Sequence, residues 1–219
     1  MEIEEIKQHY RDNREEIQSR IEEFRQLRDA TDERWFKELV FVILTSRSPA
    51  KKCWEAAEEL DNLGLLLDGD KDRIAEVLAP HDIRYEKNKA GYIVENRRKL
   101  SQPTLKDSSG DLKLRERVDP ENLDASRELL VADMKGIGWK GASHFLRNIG
   151  YGNSFAIVSS RITSKLSDLG VLEDASLPSG REEYLEVEQE IQGLAEETGI
   201  DVQTFDLVLW SMETGEVFK

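Results

Sequence analysis

The spacing of the apolar residues constrains this chain more than any other feature. Apolar residues recur three and four positions apart along most of the sequence, and no alternation of apolar and polar residues persists in any segment. The first pattern places apolar side chains on one face of an α-helix, whereas alternation would place them on one face of a β-strand. Residues 2–30 and 34–45 follow the helical pattern, the second as a nearly continuous apolar run. The pattern therefore predicts an all-α fold.

Residues that start and stop helices divide this pattern into segments. Thr31 or Asp32 can cap the second helix, and Pro49 suits the first turn of the third. Further helices are predicted at 48–60, 70–78 and 87–100. The segment 101–120 is predicted to be the longest irregular connection because it contains Pro103, Ser108, Ser109, Gly110 and Pro120.

The composition excludes several classes of protein. With 219 residues the chain can bury a sizeable core in one large domain or two small ones. No apolar run approaches the roughly 18 residues of a membrane helix, and the N-terminus has an acidic helical pattern rather than that of a signal peptide. Cys53 is the only cysteine, which excludes an internal disulfide and a four-cysteine metal site. We expect a cytoplasmic protein with no cofactor, no metal and no membrane contact.

The charges are unevenly distributed along the chain. The formal net charge is −14, which taken alone argues against nucleic-acid binding. However, residues 135–165 include five basic residues and no Asp or Glu, although the chain has 45 acidic residues. A second basic run comprises Arg84, Lys87, Lys89, Arg97, Arg98 and Lys99. An acid-free segment of this length predicts a surface that faces phosphate, with an ordinary solvated surface as the alternative.

The segment 122–150 has the pattern of a helical hairpin. Asp124 is expected to cap a helix that runs to about Met134, and Gly136 and Gly138 are expected to form the turn. The second helix has an apolar stripe and ends at a glycine: Ala142, Phe145, Leu146, Ile149 and Gly150. Glycines allow a ligand to approach the backbone, and the free N–H groups at a helix start bind anions. The pattern predicts a DNA phosphate site, with an ordinary turn as the alternative.

Lys140 is predicted in the first turn of the second helix. The positive end of the helix dipole and the nearby Lys135 should both disfavour its charged form. A neutral lysine amine is the nucleophile of Schiff-base chemistry, and at a deoxyribose C1′ it would expel the base and leave an imine suited to β-elimination of the 3′ phosphate. By residue type alone, a solvated surface lysine remains the alternative.

Three stretches of the sequence are distinctive. They read Met-Lys-Gly-Ile-Gly-Trp-Lys-Gly-Ala-Ser-His-Phe-Leu-Arg-Asn-Ile-Gly at 134–150, Asn-Lys-Ala-Gly-Tyr-Ile-Val at 88–94, and Leu-Trp-Ser-Met-Glu-Thr-Gly-Glu-Val-Phe-Lys at 209–219. Together they resemble the archaeal type of 8-oxoguanine DNA glycosylase and AP lyase, within the helix-hairpin-helix glycosylase superfamily. The resemblance spans most of the chain.

The resemblance implies specific roles for several residues. It makes Lys140 the Schiff-base lysine, and it places Trp210 and the terminal Lys219 around an extruded base, where a tryptophan replaces the stacking lost from the duplex. Asp206 is a candidate acceptor for purine N–H groups. The alternative for Trp210 is a core position beside Phe205 and Leu207.

The sequence departs from the family at one catalytic position. The family has an aspartate after the hairpin, within an Ile-x-Asp-Arg-His-Ile run, and its carboxylate stabilises positive charge that develops at the sugar. Here residues 156–162 read Ala-Ile-Val-Ser-Ser-Arg-Ile, so Ser159 falls on the aspartate position and Ser160 and Arg161 on the next two. A serine hydroxyl supplies no negative charge. Residues 45–48 also differ, reading Thr-Ser-Arg-Ser where the family has Thr-Pro-Gln-Ser, so the contact that fills the hole left by the flipped base is expected to differ.

We predict two helical subdomains around a DNA-binding cleft, namely 1–35 with 153–219, and 36–152 with the hairpin at 122–150. The expected partner is double-stranded DNA with a damaged purine or an abasic site, bound by a monomer. The predicted DNA contacts are Lys135, Gly136, Gly138, Arg147, Lys87 and Lys89.

Two hypotheses about function remain open. The first is a bifunctional glycosylase and AP lyase acting through Lys140, and the second is a catalytically impaired binder of flipped or abasic nucleotides. The presence of Lys140 favours the enzyme, whereas Ser159 in place of aspartate favours the binder. A third hypothesis, a helical protein-interaction domain, would leave the acid-free hairpin unexplained.

Overall fold

The computed structural model describes residues 3–102 and 110–219, and every regular element within those ranges is helical. The predicted all-α class is therefore confirmed. The α-helices are α1 (Ile3–Gln26), α2 (Asp32–Leu44), α3 (Ala50–Asn62), α4 (Leu65–Asp68), α5 (Lys71–Leu78), α6 (Glu86–Leu100), α7 (Leu123–Asp133), α8 (Trp139–Leu146), α9 (Ser160–Asp168), α10 (Arg181–Thr198) and α11 (Val202–Thr214). Part of the predicted connection at 101–120, including Pro103, Ser108 and Ser109, lies outside the described residues.

Several of the helices begin where a short polar side chain accepts from a free backbone N–H group. Thr31 Oγ1 accepts a hydrogen bond from the Arg34 N–H, as predicted. For α7 the cap is Asn122, whose Oδ1 accepts from the Ala125 N–H, and not Asp124, which lies inside the first turn. Asparagine and aspartate cap almost equally well, so the sequence pattern allowed either position.

The chain forms two compact units. One consists of the residues up to Arg28 together with Leu146–Lys219, and the other is Asp29–Phe145. The divisions lie seven residues before those we expected, at 35/36 and 152/153. Two sets of contacts account for the shift: Trp35 packs edge-on against Phe145 inside the second unit, and Arg28 Nε donates to the Gly150 carbonyl (2.6 Å) inside the first.

The unit Asp29–Phe145 is built around α2. From Trp35 to Leu44 every residue of this helix except Lys37 is buried, as the apolar run predicts. Glu38 is also buried on this helix, and Arg34, one turn earlier, pairs with its carboxylate at 2.8 Å. Pairing offsets much of the cost of burying that charge.

The other unit is built around α1 and α11. His9 on α1 meets Ser211 on α11 at 2.8 Å, and burial lowers the pKa of this histidine. A π-helical turn, Arg147–Tyr151, follows α8 and packs against the end of α1. Gly150 there has φ +87°, and a Cβ at this position would lie 2.7 Å from the Phe24 carbonyl oxygen. Only glycine suits this close approach of the two segments.

Over the described ranges, no helix combines the length and the apolar character that crossing a membrane requires.

Candidate nucleic-acid interface and active site

Gly136 shapes the turn between α7 and α8. Its φ is +80°, and a Cβ there would lie 2.6 Å from Cδ2 of Tyr92 on α6. Gly138 has no such requirement, since a Cβ there would meet no atom within 4 Å. Of the two predicted glycines, Gly136 is therefore needed by the fold, whereas Gly138 leaves open space beside an exposed backbone.

Asn96 on α6 holds this turn from the inside. Its Nδ2 donates to the Lys135 carbonyl (2.9 Å), and its Oδ1 accepts from the Lys135 N–H (2.7 Å). The Asn96 side chain is almost fully buried, so both bonds are shielded from water. This paired contact fixes the backbone that precedes Gly136 and leaves the Lys135 side chain exposed. No pattern in the sequence indicates this role for Asn96.

An acidic residue at the end of α7 is neutralised beside the hairpin. The carboxylate of Asp133 pairs with Lys99 Nζ and with Arg117 Nη1, each at 3.0 Å. Two cations on one carboxylate offset its negative charge, which would otherwise repel a phosphate bound at the turn.

Lys140 is the second residue of α8 and is exposed. The predicted apolar residues are buried: Ala142, Phe145 and Leu146 lie on α8, whereas Ile149 lies in the π-helical turn that follows it. Gly141, next to Lys140, packs against Val42 and Ile137, where a Cβ would lie 3.4 Å from Val42 Cγ1. The start of α8 is thus anchored on one side, and the candidate nucleophile extends from an anchored backbone.

Lys89, a predicted DNA contact, has a structural role instead. Its ammonium group is buried and donates to the carbonyls of Leu44 (2.8 Å) and Ser46 (2.7 Å) and to Ser48 Oγ (3.0 Å). These three bonds use all three ammonium donors, so none is left for a phosphate. Burial lowers the pKa of Lys89. This lysine closes the end of α2, because the last carbonyls of a helix need donors.

Arg147, also a predicted DNA contact, is buried as well. Its guanidinium lies 4.7 Å from the ring centroid of Phe24, pairs with Asp206 at 3.1 Å and donates to Asn148 Oδ1. Arg97 is likewise half-buried and donates to the carbonyls of Leu65, Leu66 and Gly69. Both arginines bind groups inside their own units, so the guanidinium of Arg147 is engaged there and not in the predicted phosphate contact.

The basic residues that remain exposed include Lys87 on α6 and Lys135 in the hairpin. Arg47 and Tyr85 lie near the start of α6, each with a left-handed backbone (φ 56° and 61°), and Arg47 Nη1 donates to Tyr85 Oη. Left-handed backbone at bulky residues is strained and is concentrated at functional sites. Arg47 belongs to the 45–48 segment that differs from the family pattern.

Ser159 begins α9. Its Oγ accepts a hydrogen bond from the Ile162 N–H at 3.4 Å, so it is the N-cap of this helix. It also lines a small pocket in its own unit, together with Arg161, Ile162, Lys165, Asp206, Leu209 and Trp210. The structure thus brings three predicted site residues together, namely Ser159, Asp206 and Trp210. Lys219 is partly buried and is not among the residues that line this pocket.

Two of the charged residues that line this pocket are paired with residues outside its lining. Asp206 pairs with Arg147, and Lys165 pairs with Glu213 at 2.6 Å. Trp210 is half-buried, while Phe205 and Leu207 beside it are fully buried in the core. The Arg161 guanidinium lies 4.3 Å from the centroid of the Trp210 ring. The only sequence signal for Arg161 was its departure from the family pattern.

Cys53 is fully buried, and burial raises the pKa of its thiol to about 12. A thiol with this pKa is unreactive near neutral pH. In the described part of the chain, no group of three or more His, Cys, Asp and Glu side chains could hold a metal ion.

Comparisons with known proteins agree with the resemblance seen in the sequence. Residues 17–200 match the Ogg-HhH family model, described as 8-oxoguanine DNA glycosylase. A relative from Korarchaeum cryptofilum, named 8-oxoguanine DNA glycosylase/AP lyase, is 37% identical over 94% of this chain and 91% of its own. A protein of the same name from Methanocaldococcus jannaschii is 33% identical over 93% of this chain and 91% of its own. The crystal structure of the Methanocaldococcus jannaschii 8-oxoguanine glycosylase/lyase with 15mer DNA containing 8-oxoguanine superposes with a TM-score of 0.87 at 31% identity, covering 99% of both chains.

Proposed function

Because the chain belongs to the Ogg-HhH family of 8-oxoguanine DNA glycosylases, we propose that it excises 8-oxoguanine from double-stranded DNA and cleaves the strand at the resulting abasic site. The observation that carries the proposal is the hairpin, in which Lys140 is exposed in the first turn of a helix that follows the Gly136 turn. The relatives described above are named as glycosylases with lyase activity, which gives the non-cleaving binder less support than the enzyme.

The hairpin would hold the DNA backbone. The backbone at Gly138 is exposed directly before α8, and the free N–H groups at a helix start lie at the positive end of its dipole, where a phosphate binds well. Lys135 and Lys87 add exposed positive charge on the same unit. These contacts are independent of sequence, as a repair enzyme that searches a duplex requires.

Lys140 would carry out the chemistry. Its neutral Nζ attacks C1′ of the damaged nucleotide, the bond from C1′ to the base breaks, and the base leaves with a proton. Opening of the sugar ring gives an imine between Nζ and C1′. Loss of a proton from C2′ then expels the phosphate from C3′, which cleaves the strand.

Trp210 and Asp206 would receive the extruded base. An aromatic ring replaces the stacking that the base loses on leaving the duplex, at about 1–3 kcal/mol per base. The Asp206 carboxylate lines the same pocket and would accept from a purine N–H.

We further propose that the protein works in the cytoplasm, since the buried, unpaired Cys53 suits a reducing compartment.

Trapping with borohydride tests this function. We expect the protein to form a covalent complex with an 8-oxoguanine duplex when borohydride reduces the imine, and Lys140→Gln to form none. Lys71→Gln, at an exposed position on α5, is the matched control and should trap DNA like the parent. Trapping by Lys140→Gln would mean that another amine is the nucleophile. A parent protein that binds the duplex but never traps it would be a binder and not an enzyme.

A further inference from the structure

The pocket around Trp210 is filled by one of its own residues. The Arg161 guanidinium lies over the indole ring, at 4.3 Å from the centroid. The cavity that remains has a volume of about 10 Å³, which is about the room that one water needs. A purine is far larger than a water. The arrangement of the free protein therefore cannot admit a base until Arg161 moves.

We propose that Arg161 guards the base pocket: its guanidinium occupies the face of Trp210 on which an extruded purine would stack, and entry of the base displaces it. The inference rests on the proposed function, because it takes a damaged purine as the ligand. It deepens that function, because the purine and Arg161 would compete for the same face of Trp210. Stacking of a purine on Trp210 therefore comes at the cost of the Arg161 contact.

Arg161 is placed so that it can leave. Within the described residues, no hydrogen bond or ion pair holds its guanidinium, and the side chain is exposed. It is the second residue of α9, where the helix dipole disfavours a cation. Asp206, which lines the pocket, is paired with Arg147, and Lys165, also in the lining, is paired with Glu213. The stack on Trp210 is thus the contact to be broken.

A duplex would also supply a new partner for the displaced group. Phosphate oxygens bind guanidinium groups strongly, often through two parallel hydrogen bonds. In DNA, the loss of the stack on Trp210 would thus be offset by a phosphate contact. A free nucleoside has no phosphate, so it isolates the competition for the Trp210 face from the gain in charge pairing.

Binding of 8-oxo-2′-deoxyguanosine tests the guard. We expect Arg161→Ala to bind this nucleoside about 2- to 30-fold more tightly than the parent, which corresponds to the range of about 0.5–2 kcal/mol for a cation–π contact. Arg14→Ala removes the same charge from an exposed site on α1 and should leave the affinity unchanged. Equal or weaker binding by Arg161→Ala, or no measurable binding by it, would overturn the proposal.

Quenching by acrylamide gives a readout that requires no ligand. The contribution of Trp210 is obtained by subtracting the quenching of a Trp210→Phe variant, which separates it from the other three tryptophans of the chain. It should increase in Arg161→Ala, since the guard has gone. Unchanged quenching would disprove the guard even in a protein that traps DNA through Lys140. Conversely, a protein that failed to trap DNA could still show the increase, so the two proposals fail separately.

Discussion

At position 159, what the fold requires differs from what the reaction requires. As the N-cap of α9 it satisfies a backbone N–H, and aspartate would do so about as well. An aspartate there would also place its charge at the positive end of the helix dipole. The fold therefore accepts either residue, while only the carboxylate can stabilise positive charge at the sugar.

Ser159→Asp should raise the rate of 8-oxoguanine excision by at least roughly tenfold, since loss of one electrostatic partner typically costs on the order of 10²–10³-fold in rate. Cleavage at a preformed abasic site should gain less, because its C1′ is already an aldehyde. Single-turnover assays on the two substrates measure both effects.

Ser160→Asp provides the control for charge. It adds the same carboxylate one residue later, at an exposed position in the first turn of α9. If both variants gain equally, the effect is general electrostatics; if neither gains, a different carboxylate supports the reaction.

The sequence predicted where the exposed lysine of the hairpin lies, but it did not predict which basic residues are buried. The position of Lys140 at the start of a helix follows from local pattern alone, and the structure has it there. The buried states of Lys89 and Arg147 do not, because their partners lie far away along the chain: Leu44 is 45 residues from Lys89, and Asp206 is 59 from Arg147. A cluster of basic residues in the sequence indicates positive charge. It does not indicate which of those side chains are already paired inside the folded protein.

The helix α6 serves both the interior and the surface. Asn96 holds the hairpin turn, Lys89 holds the end of α2, and Lys87, two residues before Lys89, is exposed. Two lysines on one helix thus differ in burial although they are close in sequence. They form a natural pair for separating DNA contact from folding.

Lys87→Gln should lower the slope of log affinity against log salt by about one unit without loss of stability, because one phosphate contact is removed. Lys89→Gln should leave this slope unchanged and lower the free energy of unfolding by at least about 1–3 kcal/mol, the cost of one buried unsatisfied polar group. Salt titrations of duplex binding and urea unfolding provide the two measurements. A reduced slope in Lys89→Gln would return that residue to the DNA-binding set.

The start of α2 and the long apolar runs were predictable from the sequence. Short helices, and turns that depend on tertiary packing, were not. The cap of α2 and the buried residues of α8 follow from residue types at fixed spacing. The four-residue helix α4 has no repeat of its apolar pattern to reveal it. The π-helical turn after α8 depends on its packing against α1, which no local pattern encodes.

The charge distribution of the whole molecule should make folding stability and DNA affinity respond to salt in opposite directions. The net charge of −14 makes the folded chain repel itself, and repulsion of this kind destabilises a compact state. We expect DNA binding to depend instead on the few exposed cations of the acid-free segment 135–165 and of α6. Salt screens both effects, so the same ions should strengthen the fold and weaken the complex.

We expect the thermal midpoint at pH 7.5 to rise between low salt and 0.5 M NaCl, while duplex affinity falls over the same range. A gain of about 1 kcal/mol would raise the midpoint by about 2–4 °C for a domain of this size.

Near pH 5, close to the isoelectric point of about 4.8, little net charge remains and the salt-induced rise should largely vanish. Acid also lowers the midpoint itself: burial lowers the pKa of His9, so its contribution to stability is lost as the pH falls through the folded pKa. The comparison is therefore between salt-induced changes at each pH. Differential scanning fluorimetry measures them, and an equal rise at both pH values would show that screening of the net charge is not the cause.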